Sequence, residues 1–469
     1  PLPLRCSFAR LAHMIEPSEI RSRLPQDFVL GVATSSWQIE GSSSTRGESI
    51  WDRFARIPGA IADGTTADPA CDHVNRLEED LDLIRDLGVG AYRFSVSWPR
   101  FIPEGSGSVS SVGADFYDRL IDGCLERGVE PVMTCYHWDL PQVLQERGGW
   151  LNPDMEKWFA DYAGALGERY GDRVTKVATL NEPWVSAFLG YALGIHAPGI
   201  INPPQSLEVA YRLMVASGHG IQALRQAGVK EPGIVLNLTT VRADEPGVEA
   251  ARDHIDGLQN RLFTDLLAGR GVSDDIREST SVLTDWSFVT DEGVAAAATP
   301  IEWLGINYYT PIRVAKPAPS GQATGVGQDT GGYPGCPPAR LNPRPPFTTM
   351  GWEVDPSGLS DVLKETQAAL PGIPLWVTEN GAAYNDLVVD GNVFDPDRVS
   401  YLSGHLLAAA DAIDAGVDLR GYFCWSLMDN LEWAEGREKT FGIVYVNPET
   451  MQRIPKESYR FFQAVATSS

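Results

Sequence analysis

Eight short apolar runs punctuate the chain, at residues 28–34, 91–97, 130–136, 174–180, 233–238, 303–307, 375–378 and 421–425. Each is too short for a helix, is rich in aliphatic and aromatic residues, and runs into a polar or turn-forming cluster, as a buried strand does. Between the runs the apolar positions change period. Leu77, Leu81, Ile84 and Leu87, and then Phe116, Leu120 and Cys124, fall three or four residues apart, as on the buried face of a helix. Gly88, Gly128 and Gly228 stand where the left-handed residue that ends a helix is expected. Strands alternating with helices predict a parallel sheet, and eight such units predict a single (β/α)8 TIM barrel with its site at the C-terminal ends of the strands. The barrel is expected over residues 24–469, behind an N-terminal tail of residues 1–23, the part before Met14 reading as poorly ordered or foreign sequence. Residues 316–346, rich in Pro and Gly and without period, predict a long loop between the sixth and seventh strands. Such a loop is either a loose insertion or a wall at the mouth of the site.

The barrel expectation carries a test: unusual polar and aromatic residues should gather where the strands end. They do so at seven of the eight. The first run leads into Trp37-Gln38-Ile39-Glu40, the second contains Arg93, and the third ends His137-Trp138-Asp139. The fourth ends Asn181-Glu182, the sixth Asn307-Tyr308-Tyr309, the seventh Glu379-Asn380, and the eighth leads from Trp425 to Glu432-Trp433. Any one of these is unremarkable, since a strand-end carboxylate can simply pair with an arginine and a tryptophan can simply fill a core. Together they are hard to explain by packing, because a buried polar group without a partner costs roughly 1–3 kcal/mol. Glu182 and Glu379 sit in matching settings, each closing an apolar run and each followed by a strand-breaking residue. Two carboxylates facing one cavity are the minimum apparatus for cleaving a glycosidic bond. The neighbours suit a sugar: Gln38, His137, Asn181 and Glu432 offer paired hydrogen-bonding groups, and Trp425 or Trp433 offers a flat apolar face. Arg93 and the Tyr309 hydroxyl are placed to hold Glu379 ionised, whereas Glu182 has only the neutral Asn181 beside it and is expected to keep its proton more easily.

Composition narrows the field. The 469 residues are 43% hydrophobic and 21% charged, ordinary for a globular protein, and the formal net charge is −24. That charge disfavours nucleic acid and anionic membrane as partners. No apolar run reaches the length of a membrane span, and the first residues carry no secretory pattern. The six cysteines form no CxxC pair, so buried reduced thiols in a cytoplasmic protein are expected, and no zinc site.

With these residues in view, the chain resembles a family 1 glycoside hydrolase of the β-glucosidase type over nearly all its length, from about Leu24 to Phe462. The carriers are Trp37-Gln38-Ile39-Glu40-Gly41, Tyr92-Arg93-Phe94-Ser95, Tyr136-His137-Trp138-Asp139, Thr179-Leu180-Asn181-Glu182-Pro183, Gly305-Ile306-Asn307-Tyr308-Tyr309, Thr378-Glu379-Asn380-Gly381 and the run from Trp425 to Trp433. The resemblance implies a retaining double displacement, with Glu379 as nucleophile and Glu182 as acid and then base, their carboxyl groups about 5–5.5 Å apart. It implies that Gln38, His137, Trp138, Asn181, Trp425, Glu432 and Trp433 hold the sugar, that Trp352 lines the aglycone entrance, and that Asn307 and Tyr309 orient the carboxylates and the sugar. Substrates would be β-glucosides such as cellobiose or aryl glucosides, with β-fucosides and β-galactosides as side substrates and transglycosylation as a further outcome. No metal or organic cofactor is implied. The segment from Gly41 to Glu48 is shorter than is usual in the family, which bears on the aglycone, and Leu431 stands where Phe is common. Two alternatives remain: a 6-phospho-β-glycosidase, which Glu432 opposes by like charge, and an inactive carbohydrate-binding barrel, which the presence of both glutamates opposes. Oligomeric state is not legible.

Overall fold

The computed structural model of the protein describes residues 15–318 and 329–468. Eight parallel strands close into a barrel: β1 (Val29–Ala33), β2 (Ala91–Ser95), β3 (Glu130–Tyr136), β4 (Lys176–Asn181), β5 (Glu231–Asn237), β6 (Trp303–Asn307), β7 (Leu375–Asn380) and β8 (Leu419–Trp425). Each pairs with its sequence neighbours, and β1 closes the ring on β8 through Val29↔Gly421 to Ala33↔Trp425. The eight apolar runs thus become the eight strands. Their ends move by one or two residues, as at β4, which begins two residues later than expected and extends through Asn181.

The helices between them form for the reasons their spacing gave. Helix α2 (Leu77–Leu87) buries Leu77, Leu81, Ile84 and Leu87 against the barrel and ends at Gly88, whose φ of 77° favours a residue without a Cβ. Helix α3 (Ser111–Glu126) buries Phe116, Leu120 and Cys124, and the Ser110 side chain caps it by accepting from the Gly113 amide. Each such buried side chain contributes roughly 1.5–3 kcal/mol. Residues 17–23 form helix α1 (Pro17–Arg23), whose Ile20 is fully buried where it packs against the last helices of the chain, Pro396–Asp414 and Glu457–Thr467.

The lower barrel is filled by side chains. Ala91, Val132, Ala178 and Val235 from β2–β5 meet Trp303, Trp376 and Phe423 from β6–β8. The large rings fit because glycine faces them: a Cβ on Gly421 would lie 2.4 Å from the Trp376 ring, and one on Gly31 would lie 2.5 Å from Phe423. This floor separates the cavity at the C-terminal end, which Trp425 lines, from another at the N-terminal end, which Trp303 and Trp376 line.

The register shifts in three strand pairs, β4–β5, β6–β7 and β7–β8, each of which includes a strand that leads to one of the two glutamates. The β4–β5 register shifts between Ala178 and Asn181, and the β6–β7 register shifts between Val377 and Glu379. A shift of this kind kinks a strand and re-aims its last side chains.

Candidate active site

The re-aimed ends of β4 and β7 bring Glu182 and Glu379 to one cavity of about 590 Å³, a size that holds a drug-sized ligand. Glu379 is held from two sides. Its Oε1 accepts from an Arg93 guanidinium nitrogen at 2.6 Å, and its Oε2 accepts from the Tyr309 hydroxyl at 2.6 Å. Arg93 also donates to Asn181 Oδ1 at 2.6 Å and to Thr134 Oγ1 at 3.2 Å, so three strands fix its plane. Glu182 has no cation against it. Its Oε1 accepts from the Asn307 amide at 2.6 Å, and Thr378 Oγ1 holds Asn307 by donating to its Oδ1 at 2.7 Å.

These settings separate the two acidities. Burial, followed by the charge of Glu379, pushes the Glu182 carboxyl well above its ordinary value. Burial also pushes Glu379 up, but Arg93 and the Tyr309 hydroxyl pull it back. The proton of the pair therefore resides on Glu182 and the negative charge on Glu379. A third carboxyl, Glu432, faces the same cavity; burial and then the Glu379 charge push it up to about 8, and its Oε2 has no protein partner. His137 is kept neutral, its pKa pushed well below the usual range by burial and by Arg93. Asn181 Nδ2 donates to His137 Nε2 at 3.0 Å, which leaves the hydrogen on Nδ1, buried and unpaired. The cavity thus presents unsatisfied polar groups on a rigid frame, ready for a polyhydroxylated ligand, beside one protonated and one ionised carboxyl.

The glycosyl hydrolase family 1 model matches residues 20–469. The chain belongs to this family. It is 42% identical over 445 residues to thermostable β-glucosidase B of Thermobispora bispora, covering 94% of this chain and 90% of that protein. It is 41% identical over 456 residues to the bifunctional β-D-glucosidase/β-D-fucosidase of Bifidobacterium breve, covering 94% and 97%. Among solved structures, the psychrophilic β-glucosidase BglU of Micrococcus antarcticus superposes with a TM-score of 0.92 at 40% identity, covering 96% of this chain and 99% of that one. The protein is therefore a glycoside hydrolase.

In this family 1 enzyme, ten of the residues singled out in the sequence line the cavity. The hydrogen-bonding set is His137, Glu182, Asn307, Tyr309, Glu379 and Glu432, and the aromatic set is Trp138, Trp352, Trp425 and Trp433. Trp433 stacks on Trp37 with ring centres 5.6 Å apart and leans on Trp51 and Trp138, while Trp352 packs against Tyr309 and Phe441. Three residues lie behind the wall. Arg93 and Asn181 support the carboxyls from below, so Asn181, expected to hold the sugar, here positions His137, Arg93 and Asn307. Gln38 was also expected to hold the sugar. Its Nε2 instead donates to Asn430 Oδ1 (2.9 Å) and the Leu431 carbonyl (2.6 Å), and its Oε1 accepts from Ser35. Gln38 thus ties the first strand end to the loop bearing Glu432.

Sequence reasoning missed part of the outer wall. Trp184 and Tyr333 line it with their rings 5.4 Å apart, and Tyr333 donates to Gln259 at 2.8 Å. Trp184 stands two residues after Glu182, a signal that was available. Tyr333 belongs to the 316–346 loop, whose described part therefore serves as a wall; its residues 319–328 lie outside the described residues.

Proposed function

We propose that the protein is a retaining β-glucosidase that removes terminal, non-reducing β-D-glucosyl residues by double displacement. The observation that carries this is the unequal pair in one cavity: Glu379 braced by Arg93 and Tyr309, Glu182 facing only the Asn307 amide. In the first step Glu379 attacks the anomeric carbon from below while Glu182 gives its proton to the departing oxygen. In the second, Glu182, now a base, deprotonates water that displaces Glu379. The carboxyl separation this requires is about 5–5.5 Å. Once the glycosyl-enzyme carries an ester, Glu379 has lost its charge, so Glu182, which has given its proton to the leaving group, is no longer pushed up by it and stays ionised, as a general base must be.

The sugar would lie on Trp425 and Trp433, with His137 and Glu432 reaching its hydroxyls, and the aglycone would pass Trp352. The bifunctional Bifidobacterium relative supports a β-fucosidase side activity, and β-galactosidase activity and transfer to alcohols are proposed with it. Natural substrates would be cellobiose, from cellulose breakdown, or aryl glucosides. The lining of the cavity includes, among the described residues, no lysine or arginine to pair with a phosphate, which argues against a 6-phosphorylated sugar. The five described cysteines are all unpaired, which supports a reducing, cytoplasmic setting.

The test is initial rates on p-nitrophenyl β-glucoside, β-galactoside, β-fucoside and β-glucoside 6-phosphate, with the first-released anomer followed by NMR. Rapid cleavage of the unphosphorylated glucoside with β-glucose appearing first is expected. First release of α-glucose would overturn the retaining mechanism, and turnover of the phosphorylated sugar alone would overturn the substrate.

A further inference from the structure

Beneath the loop that carries Glu432 lies a cluster of five buried charges that the proposed chemistry does not use. Lys456, with no exposed surface, donates to Asp386 Oδ2 at 2.6 Å and to Asp429 Oδ1 at 2.7 Å. Arg398 grips Asp386 with two bonds of 3.0 Å, pairs with Asp395, and donates to the carbonyls of Ala382 at 3.1 Å and Thr440 at 2.6 Å. Asp395 in turn accepts from the Ser458 amide at 2.8 Å and hydroxyl at 2.6 Å.

The cluster joins segments that are distant in sequence and that both end at the cavity. Ala382 and Asp386 follow Glu379 on the segment leaving β7. Asp429 precedes Glu432 by three residues and is fixed to its own loop through the Gly442 amide at 2.9 Å. From Asp429 the chain passes to Asn430 and Leu431, the two residues that hold Gln38. Three carboxylates meet two cations here, and Asp429 Oδ2 is buried without a partner. Without the ammonium, Asp386 and Asp429 would face each other as like charges out of reach of water, and Asp429, unlike Asp386, would keep no cation, since Arg398 still holds Asp386.

We propose that Lys456 is a positioning residue: held between Asp386 and Asp429, it fixes the 426–433 loop against the segment carrying Glu379 and so sets how Glu432 and Trp433 meet the sugar. This rests on the β-glucosidase reading of the cavity. A lysine that merely held the fold together would, when removed, lower activity on every sugar alike. One that aims Glu432 would change the preference between sugars differing at the hydroxyl that Glu432 reaches.

The experiment compares kcat and KM on p-nitrophenyl β-glucoside and its 4-epimer, the β-galactoside, for wild type, Lys456→Met, Asp429→Asn and the double variant, with Tm measured for each. For Lys456→Met, kcat/KM on the glucoside is expected to fall about 10- to 100-fold, as misplacement remote from the chemistry does. The glucoside-to-galactoside ratio is expected to change about threefold to tenfold, the worth of one hydrogen bond. The double variant, which removes the repulsion as well as the cation, is expected to recover the ratio towards wild type. A folded Lys456→Met protein with an unchanged ratio overturns the proposal, as does an equal loss on both sugars. Should Lys456→Met fail to fold, Asp429→Asn decides: a changed ratio supports the role and an unchanged one overturns it. Absence of turnover by the wild type on either sugar would sink the β-glucosidase reading, and this inference with it, before any variant is compared.

Discussion

Replacing Arg93 with Met tests the central electrostatic claim. Arg93 is buried, with 1% of its side chain exposed, and it is the one cation in contact with Glu379 among the described residues. A charge-assisted hydrogen bond of this kind is worth roughly 1.5–3 kcal/mol. At about 1.4 kcal/mol per pKa unit, its loss should raise Glu379 by about one to two units. The full Coulomb attraction of two charges about 4 Å apart, near 4 kcal/mol at an effective dielectric of 20, sets an upper bound of about three units. Burial already pushes Glu379 up, so the shift adds to a displacement in the same direction. The sign follows from the role. Glu379 must be ionised to attack, so a higher pKa means that activity is lost at a higher pH as the solution is acidified. The assay is the pH dependence of kcat/KM on 2,4-dinitrophenyl β-glucoside, whose leaving group needs little help from Glu182, so the acid limb reports Glu379 in the free enzyme. The limb should move up by about one to two units in Arg93→Met and by less in Tyr309→Phe, which removes a hydrogen bond but no charge. An acid limb that stays put or moves down in a folded Arg93→Met protein would refute the reasoning.

The remaining predictions concern the other carboxyls. Glu379→Ala should abolish turnover, and azide should restore cleavage of the dinitrophenyl glucoside to give the α-glucosyl azide by one inverting displacement, identified by NMR. Glu182→Ala should lose activity on alkyl glucosides far more than on activated aryl ones, and should show a burst as the glycosyl-enzyme accumulates; an unchanged rate on an alkyl glucoside would remove Glu182 from the acid role. Away from the site, burial pushes the Asp80 carboxyl up, but His73 at 2.7 Å and Arg453 at 2.8 and 3.0 Å outweigh it and hold it below its ordinary value. Its contribution to stability is therefore present above about pH 4 and lost as pH falls through the folded-state value, so in urea unfolding the deficit of Asp80→Asn should be large at pH 7 and shrink on acidification.

Much of this fold is legible in the sequence because the barrel repeats one physical unit eight times. A run of four to seven largely apolar residues closed by turn-forming ones is too short for a helix and fits a strand buried on both faces, and a Leu77–Leu81–Ile84–Leu87 stripe fits a helix that covers such a sheet. The site is legible for the converse reason: Glu182, Glu379, Arg93 and Asn307 stand where packing alone would put apolar side chains. What the sequence conceals is contact between segments far apart in the chain. Lys456 looks like any surface lysine until its partners Asp386 and Asp429 are seen, and nothing in the sequence around Gln38 tells that its amide donates to Asn430 and Leu431. Backbone conformation is concealed too. Trp138, Glu182 and Trp433 all have positive φ, at 74°, 47° and 48°, where non-glycine residues are strained by about 1–3 kcal/mol each.

That strain and the role assignment have a common origin. Glu182 and Glu379 have matching local sequences, matching places at strand ends and nearly matching burial, 5% and 3% exposed. Neither motif nor desolvation can make one an acid and the other a nucleophile. The difference comes from β2, whose Arg93 reaches across the barrel floor to Glu379 while spending its other branch on Asn181, the residue just before Glu182. With Asn181 held below, the chain turns sharply at Glu182, whose amide donates to the Val235 carbonyl on the neighbouring strand and whose carboxyl is left to the neutral Asn307. One guanidinium thus lowers the acidity barrier for Glu379 and fixes the base of the strained turn that withholds a cation from Glu182. The asymmetry on which the proposed double displacement depends is a property of the barrel's closure, which brings Arg93 of β2 to Glu379 of β7, and not of either glutamate's own surroundings in sequence.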